Sequence, residues 1–239
     1  MEIHDSCNAT EVRQLRKAFA ETYELVTTAR DYILEHGSND DVYKTYFGSA
    51  PPYAVVGAYE SVAHENKEGV LFRCDNVDGN CDMDGWAGHW RGDNATQETV
   101  ICPLSYEIKH SNDKLCAFGY TVASQSTNWL FSSDILHRLS HIPSVSHGAL
   151  DHYADGYAGS IELAKSNDTW TPYNTHTLQF FALDVYARVV SIPGTGCTGE
   201  APEEEEEEED ATTTSTTGAS EATSTQDCHT HADGEVHCV

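Results

Sequence analysis

The chain has 239 residues, 39 acidic against 13 basic side chains, a formal charge of −26 and a hydrophobic fraction of 39 %. That length admits one large domain or two small ones, and the acidic balance disfavours nucleic acid and anionic membrane as partners while leaving cations attractive. No apolar run approaches the roughly 18 residues that span a bilayer, and the opening Met1-Glu2-Ile3-His4-Asp5 is too polar for a secretory signal.

Residues 10–36 read as one long amphipathic helix, with Val12, Leu15, Phe19, Tyr23, Val26, Arg30 and Ile33 recurring every three or four residues and Gly37 as the stop. A second helix is expected after Pro51-Pro52, through Val55, Val56, Tyr59, Val62 and Ala63, ending near Gly69. Val70–Cys74 and Thr99–Cys102 read as short strands. The stretch between them is rich in Gly, Asp and Asn and lacks EF-hand spacing, so turn chemistry explains its carboxylates better than Ca²⁺ does. Within it Trp86, His89 and Trp90 read as a packed loop. Further helices are expected over Asp134–His141, capped by Ser133 or Asp134, then over Gly148–Lys165 and Thr175–Val190. His147 and His176 read as surface residues, and His4, His36, His64 and His110 carry no pattern.

Beyond Cys197 the composition changes. From Gly199 onward there are acids but no Lys or Arg, so half of the net charge sits in this last stretch, including the run Glu203–Glu209. Like charges repel and nothing there can be buried, which makes it a disordered tether. The chain closes on Cys228-His229-Thr230-His231-Ala232-Asp233-Gly234-Glu235-Val236-His237-Cys238-Val239. Imidazole and thiolate at this density, with almost nothing apolar beside them, suit a borderline-soft ion such as Zn²⁺. If oxidised, Cys228 and Cys238 close a small loop presenting His229, His231 and His237; if reduced, both sulfurs join the ligands.

The other cysteines, Cys7, Cys74, Cys81, Cys102, Cys116 and Cys197, are widely spaced with no CxxC, a pattern suited to disulfides in an oxidising compartment, although the spacing leaves their pairing open. Sequons at Asn8, Asn94 and Asn167 point the same way.

His137 and His141 stand at i and i+4 on the predicted 134–141 helix, one turn apart on one face, which is the spacing for chelating a single ion. A helix, a proline, a loop and the next helix would bring His152 and Asp155 back over that pair, at i and i+3 on one helical face, with Asp151 as a substitute. Either carboxylate can instead lie outside the coordination shell and orient an imidazole N–H.

His137-Arg138-Leu139-Ser140-His141 resembles the HExxH motif of zinc peptidases, in particular the deuterolysin-like aspzincins, whose third ligand is an aspartate from a downstream helix. The departure falls on the glutamate that takes the proton from the attacking water, because Arg138 stands there. A guanidinium stays protonated and cannot serve as the base.

Further stretches broaden the resemblance: Asp5–Thr10, Asp84–Gly92, Leu136-His137-Arg138, His152–Asp155, Ala182–Ala187 and the Cys228–Cys238 tail. Together they are similar to the fungal pH-regulated antigens, secreted zinc-scavenging glycoproteins also called zincophores. The resemblance implies an α+β, mainly helical, zincin-like domain of the deuterolysin type with a small β element and a disordered acidic C-terminal tail. It divides the chain into a metal-binding domain at 1–198, a linker at 199–227 and a zinc-binding motif at 228–239. It also implies capture of Zn²⁺, its return to a fungal plasma-membrane zinc transporter, binding to host complement regulators and other host proteins, and a homo-oligomer. On this reading the chain is not an enzyme. An active aspzincin-type peptidase and a cell-wall or host-adhesion protein are the alternatives.

Overall fold

The computed structural model describes residues 1–201, 228–230 and 236–238. The linker expected at 199–227 therefore falls almost wholly outside the described residues, as do His231 and the side chains of the C-terminal motif.

The long N-terminal helix is α1, Ala9–His36. Asn8 caps it: its side chain accepts from the N–H groups of Thr10 (2.8 Å) and Glu11 (3.1 Å), and the Glu11 carboxylate accepts the Asn8 N–H at 2.6 Å. This reciprocal box satisfies donors that the first turn leaves without helical partners. The buried stripe runs Leu15, Ala18, Thr22, Leu25, Val26, Ala29 and Ile33, so it is rotated from the expected face and Tyr23 points outward, 50 % exposed.

Helices α2 (Asp41–Phe47) and α3 (Pro52–His64) follow, the first not expected from the sequence. Next come α4 (Pro103–Ile108), α5 (Phe131–Ser140), α6 (Pro143–Ser146), α7 (Gly156–Ser166) and α8 (Thr175–Tyr186), which passes into one wider turn over Ala187–Ser191. Every residue of α8 is buried, the mark of a helix running through the middle of a core. It packs against α1, α2, α5 and α7. Phe181 is the hub, its ring 4.9 Å from Phe47, 5.8 Å from Tyr46 and 6.2 Å from Tyr43. The phenols around it keep hydrogen-bond partners: Tyr46 donates to Asp184 Oδ2 at 3.0 Å, and Tyr59 to Leu178 O at 2.7 Å.

The sheet has the order β1 (Glu2–Ile3), β2 (Leu71–Arg73), β4 (Glu98–Ile101), β3 (Gly88–Trp90). β1–β2 and β2–β4 are parallel, whereas β3 runs antiparallel to β4 at one edge, with His89 opposite Val100. The expected loop around Trp86–Trp90 thus contains a strand. Disulfides Cys7–Cys74, Cys81–Cys102 and Cys116–Cys197 tie the start of α1 to β2, the 75–87 loop to the end of β4, and the loop after α4 to the end of the domain.

Two helix boundaries depart from expectation with consequences for the site. α5 starts at Phe131 after Leu130, so Ser133 and Asp134 lie inside it and neither caps it. Gly148–Asp155 is not helical, and α7 begins only at Gly156. The backbone groups of Asp151 pair with Tyr173 O and Thr175 N at 3.0 and 2.9 Å. Asn174 Oδ1 takes the N–H groups of Tyr153 and Ala154 at 2.9 and 3.2 Å. With these donors satisfied across the chain, a helical turn would have nothing to gain.

Candidate metal centre

α5 carries His137 and His141 on one face, His141 closing the helix as its C-cap. The 148–155 loop, pinned to the start of α8 by Asn174, carries His152. His152 Nε2 lies 3.3 Å from His141 Nε2, which itself lies 3.3 Å from His137 Nε2. The three histidines form one potential ligand set, with candidate donor atoms within 4.8 Å of one another. Donors at Zn–N distances of roughly 2.0–2.1 Å in a tetrahedral array are about 3.3–3.4 Å apart. His141 Nε2 therefore stands from each of its two neighbours at the spacing that two ligands of a tetrahedral zinc ion keep. His141 Nε2 faces both of its neighbours, and one cation between the rings serves lone pairs that a single proton can serve only in pairs.

The outer surroundings hold the rings. His137 Nδ1 lies 3.3 Å from Gln179 Oε1. The Gln179 amide donates to Asn128 Oδ1 (2.9 Å) and to Ser133 O (2.9 Å), so its oxygen is the atom left to face the imidazole. A proton held on Nδ1 leaves the Nε2 lone pair for a metal. The indole of Trp90, on β3, stacks on His141 with centroids 6.2 Å apart and planes inclined at 17°. Gln179 and Trp90 have no motif spacing to His137, and only the tertiary fold brings them there.

Asp155 lies on the other side of His152, its Oδ1 3.8 Å from His152 Nδ1 and 3.6 Å from His176 Nδ1. That is the flank from which a carboxylate steers a ligating imidazole, and the helical i, i+3 face expected for His152 and Asp155 does not exist. His152, Asp155 and His176 make a second potential donor set sharing one member with the first. Asp151 is exposed and accepts the backbone N–H of His152 at 2.8 Å, holding the loop.

His176 is a correction: it is buried, 1 % exposed, with its ring centroid 5.0 Å from that of His152. Its Nδ1 accepts the Gly156 N–H at 2.9 Å, which puts the proton of the neutral ring on Nε2. Its place at the second residue of an all-buried helix explains why no exposed-face reading holds.

Arg138 does not face outward either. Its Nε and Nη2 donate to both Asp134 oxygens at 2.9 and 3.0 Å, with both residues under 5 % exposed. The Lys109 ammonium is 3.6 Å from the same carboxylate. The guanidinium lies under β3: a Cβ at Gly88 would fall 2.8 Å from Arg138 Nη1 and 2.3 Å from Val100 O, so only glycine fits. Where an HExxH helix carries its base, this helix carries a buried tie to the edge strand.

On the far face of β3, His89 Nε2 is 2.9 Å from Asp78 Oδ2, and Arg91 binds both oxygens of that carboxylate. Arg91 holds the Asp78 carboxyl below its ordinary range, while burial pulls the His89 imidazole below its own. His89 turns to this cluster and has no place among the three-histidine donors.

A zinc-peptidase-like fold with an imidazole triad, two members on α5 and one on the 148–155 loop, is the class these observations define. The solved zinc peptidase from Grifola frondosa superposes with a TM-score of 0.55 over 74 % of this chain and 97 % of its own, at 17 % identity. Residues 1–200 match the family described as "HRXXH: Putative peptidase family", and the chain belongs to it. Its relatives include Antigen 1 of Emericella nidulans, 49 % identical over 99 % of this chain and 87 % of that protein. The pH-regulated antigen PRA1 of Candida albicans is 42 % identical over 83 % of this chain and 67 % of its own length. The antigen-family resemblance read from the sequence holds, and the second letter of the family motif is the arginine at position 138.

Proposed function

We propose that this protein is a secreted zinc-capturing protein that binds Zn²⁺ without hydrolysing peptides. The observation that carries the reading is the convergence of three imidazoles, with His141 Nε2 3.3 Å from the Nε2 atoms of both His137 and His152. His137, His141 and His152 would hold the ion, with Gln179 and Asp155 orienting the rings from outside. Bound there, zinc would act as a Lewis acid. Its use in hydrolysis needs a base beside it, and position 138 supplies an arginine engaged with Asp134. The carboxylate of Asp134 is occupied by the same pair.

Three disulfides among the described residues support an oxidising, extracellular location. The sequon residues Asn8, Asn94 and Asn167 are all exposed, as glycosylation needs. The C-terminal motif, with His229, His231, His237, Cys228 and Cys238, would be a second Zn²⁺ site. Opposed register positions of Cys228 and Cys238 suit a disulfide there. The captured ion would go to a fungal cell-surface zinc transporter, and host complement regulators would be partners, with the chain acting as a homo-oligomer.

The test is a metal analysis after dialysis against zinc, paired with a peptide-cleavage assay on the loaded protein. The expected result is retained zinc, diminished by His137→Ala, with no chelator-sensitive cleavage. Cleavage that chelators stop and Asp155→Asn abolishes would establish a peptidase instead.

A further inference from the structure

Between α7 and α8 the chain makes a 3₁₀ turn over Asp168–Tyr173. Three residues complete each turn of such a helix, so side chains three apart stand in line. The inner row is fixed to the domain. Asp168 Oδ2 accepts the Ser49 N–H at 2.8 Å and the Ser49 hydroxyl at 2.6 Å, and the buried Thr171 hydroxyl donates to Asp168 O at 2.8 Å. A Cβ at Gly48 would fall 2.8 Å from the Asp168 Cβ, so the turn lies directly against the end of α2. The outer row is Asn167, Trp170 and Tyr173, all three exposed, with the Trp170 N–H bonded to Asn167 O at 3.3 Å.

That row carries an aromatic platform. Trp170 is 42 % exposed, whereas the other three tryptophans are buried or half-buried. The exposed Tyr153 stacks on it with centroids 4.7 Å apart and planes at 22°, and Tyr173 meets it at 65° with centroids 6.4 Å apart. Apolar surface of this kind gains free energy when something covers it. The sequence beside it names a cover. Asn167-Asp168-Thr169 is a glycosylation sequon whose acceptor amide stands one 3₁₀ turn from the indole, on the same row.

We propose that Trp170 is the seat of the first sugar of an N-glycan on Asn167, and that the seated sugar braces the loop that carries His152. An N-linked N-acetylglucosamine presents a face of C–H bonds, which packs on the π-face of an indole while the hydroxyls at its rim stay in water. Covered from outside, Trp170 is held against Tyr153, the residue that follows His152. The glycan then acts on the loop through one stack of rings. Seating of the sugar rests on the secreted reading above and does not depend on zinc.

The experiment uses the full chain passed through a eukaryotic secretory pathway and freed of metal, with Thr169→Ala, Trp170→Ala and the two combined. Thr169 is exposed, and replacing it removes the sequon while keeping Asn167. Peptide mass reads the sugar on Asn167. Amide exchange reads the loop at Tyr153 and Ala154, whose N–H groups are held by Asn174 Oδ1. The expected result is a sugar on Asn167 and exchange that quickens by roughly threefold or more when Thr169→Ala removes it. On the Trp170→Ala chain the same removal should change nothing. On a Trp170→Tyr chain, which keeps a ring face, the sugar's effect should persist. An Asn167 without sugar overturns the proposal, and so does a Thr169→Ala effect that is absent or is the same with and without Trp170. Failure of the protein to hold zinc would sink the function proposed above and leave these readouts standing.

Discussion

His137, Gln179 and Ser133 form a relay in which each group fixes the next. Gln179 is fully buried, and its amide nitrogen donates to Asn128 and Ser133, so its oxygen cannot turn away from His137. Gln179→Leu keeps the volume and removes that acceptor. A roughly 10- to 100-fold loss of zinc affinity is expected, measured by competition with a chromophoric chelator. Arg138 acts differently, because its partners are structural. Arg138→Glu would restore HExxH on paper, yet it sets a second carboxylate beside the buried Asp134. The expected outcome is a loss of about 3–5 kcal/mol in chemical denaturation with no gain of peptidase activity. His137 and His141 were legible in the sequence because an i, i+4 pair is a local property of any helix. Gln179 and His176 were not, since they sit on α8, where every residue is buried and no spacing separates a ligand's neighbour from core.

At the scale of elements, the site depends on a loop behaving as a rigid part. Expecting a helix over Gly148–Lys165 was reasonable from its apolar recurrence, and the C-terminal half of that stretch is α7. The first half is drawn off by Asn174, which offers one oxygen to two backbone donors and cannot be anticipated from the loop's own residues. Asn174→Ala should free the loop and cut zinc affinity by about tenfold or more, because one of three ligands loses its position. Titration of the variant checks this, with a melting curve to confirm that α8 stays folded. β3 was illegible for a related reason. Three residues in a Gly- and Asp-rich stretch carry too little pattern, and the strand exists because β4 offers an edge and Arg138 fits beneath Gly88.

At the scale of the molecule, acid should act twice. Imidazole ligands must be neutral to bind, and imidazole in water titrates near about 6.5, so zinc binding should weaken sharply between pH 7.4 and 5. The fold itself carries a second dependence through His89. Burial lowers its pKa in the folded state, so the unfolded chain binds more protons between that lowered value and about 6.5. The stability from keeping His89 neutral is present above that window and is lost as the pH falls through it. Thermal melts of metal-free protein should fall from pH 7.5 to 5, and His89→Gln should flatten that slope. The mainly helical domain was legible from the recurrence of apolar residues, while the acidic stretch beyond residue 201 lies outside the described residues but for its last strands. What composition could not show is that β5 (Cys228–Thr230) lies near β3, residues far away in the chain.

Diffraction from zinc-loaded crystals at the zinc absorption edge tests the central claim most directly. An anomalous peak about 2.0–2.1 Å from the Nε2 atoms of His137, His141 and His152 together is the predicted result. A loaded protein with no density between those three rings, or with its zinc held by Asp155 and His176 on the far side of His152, would contradict it.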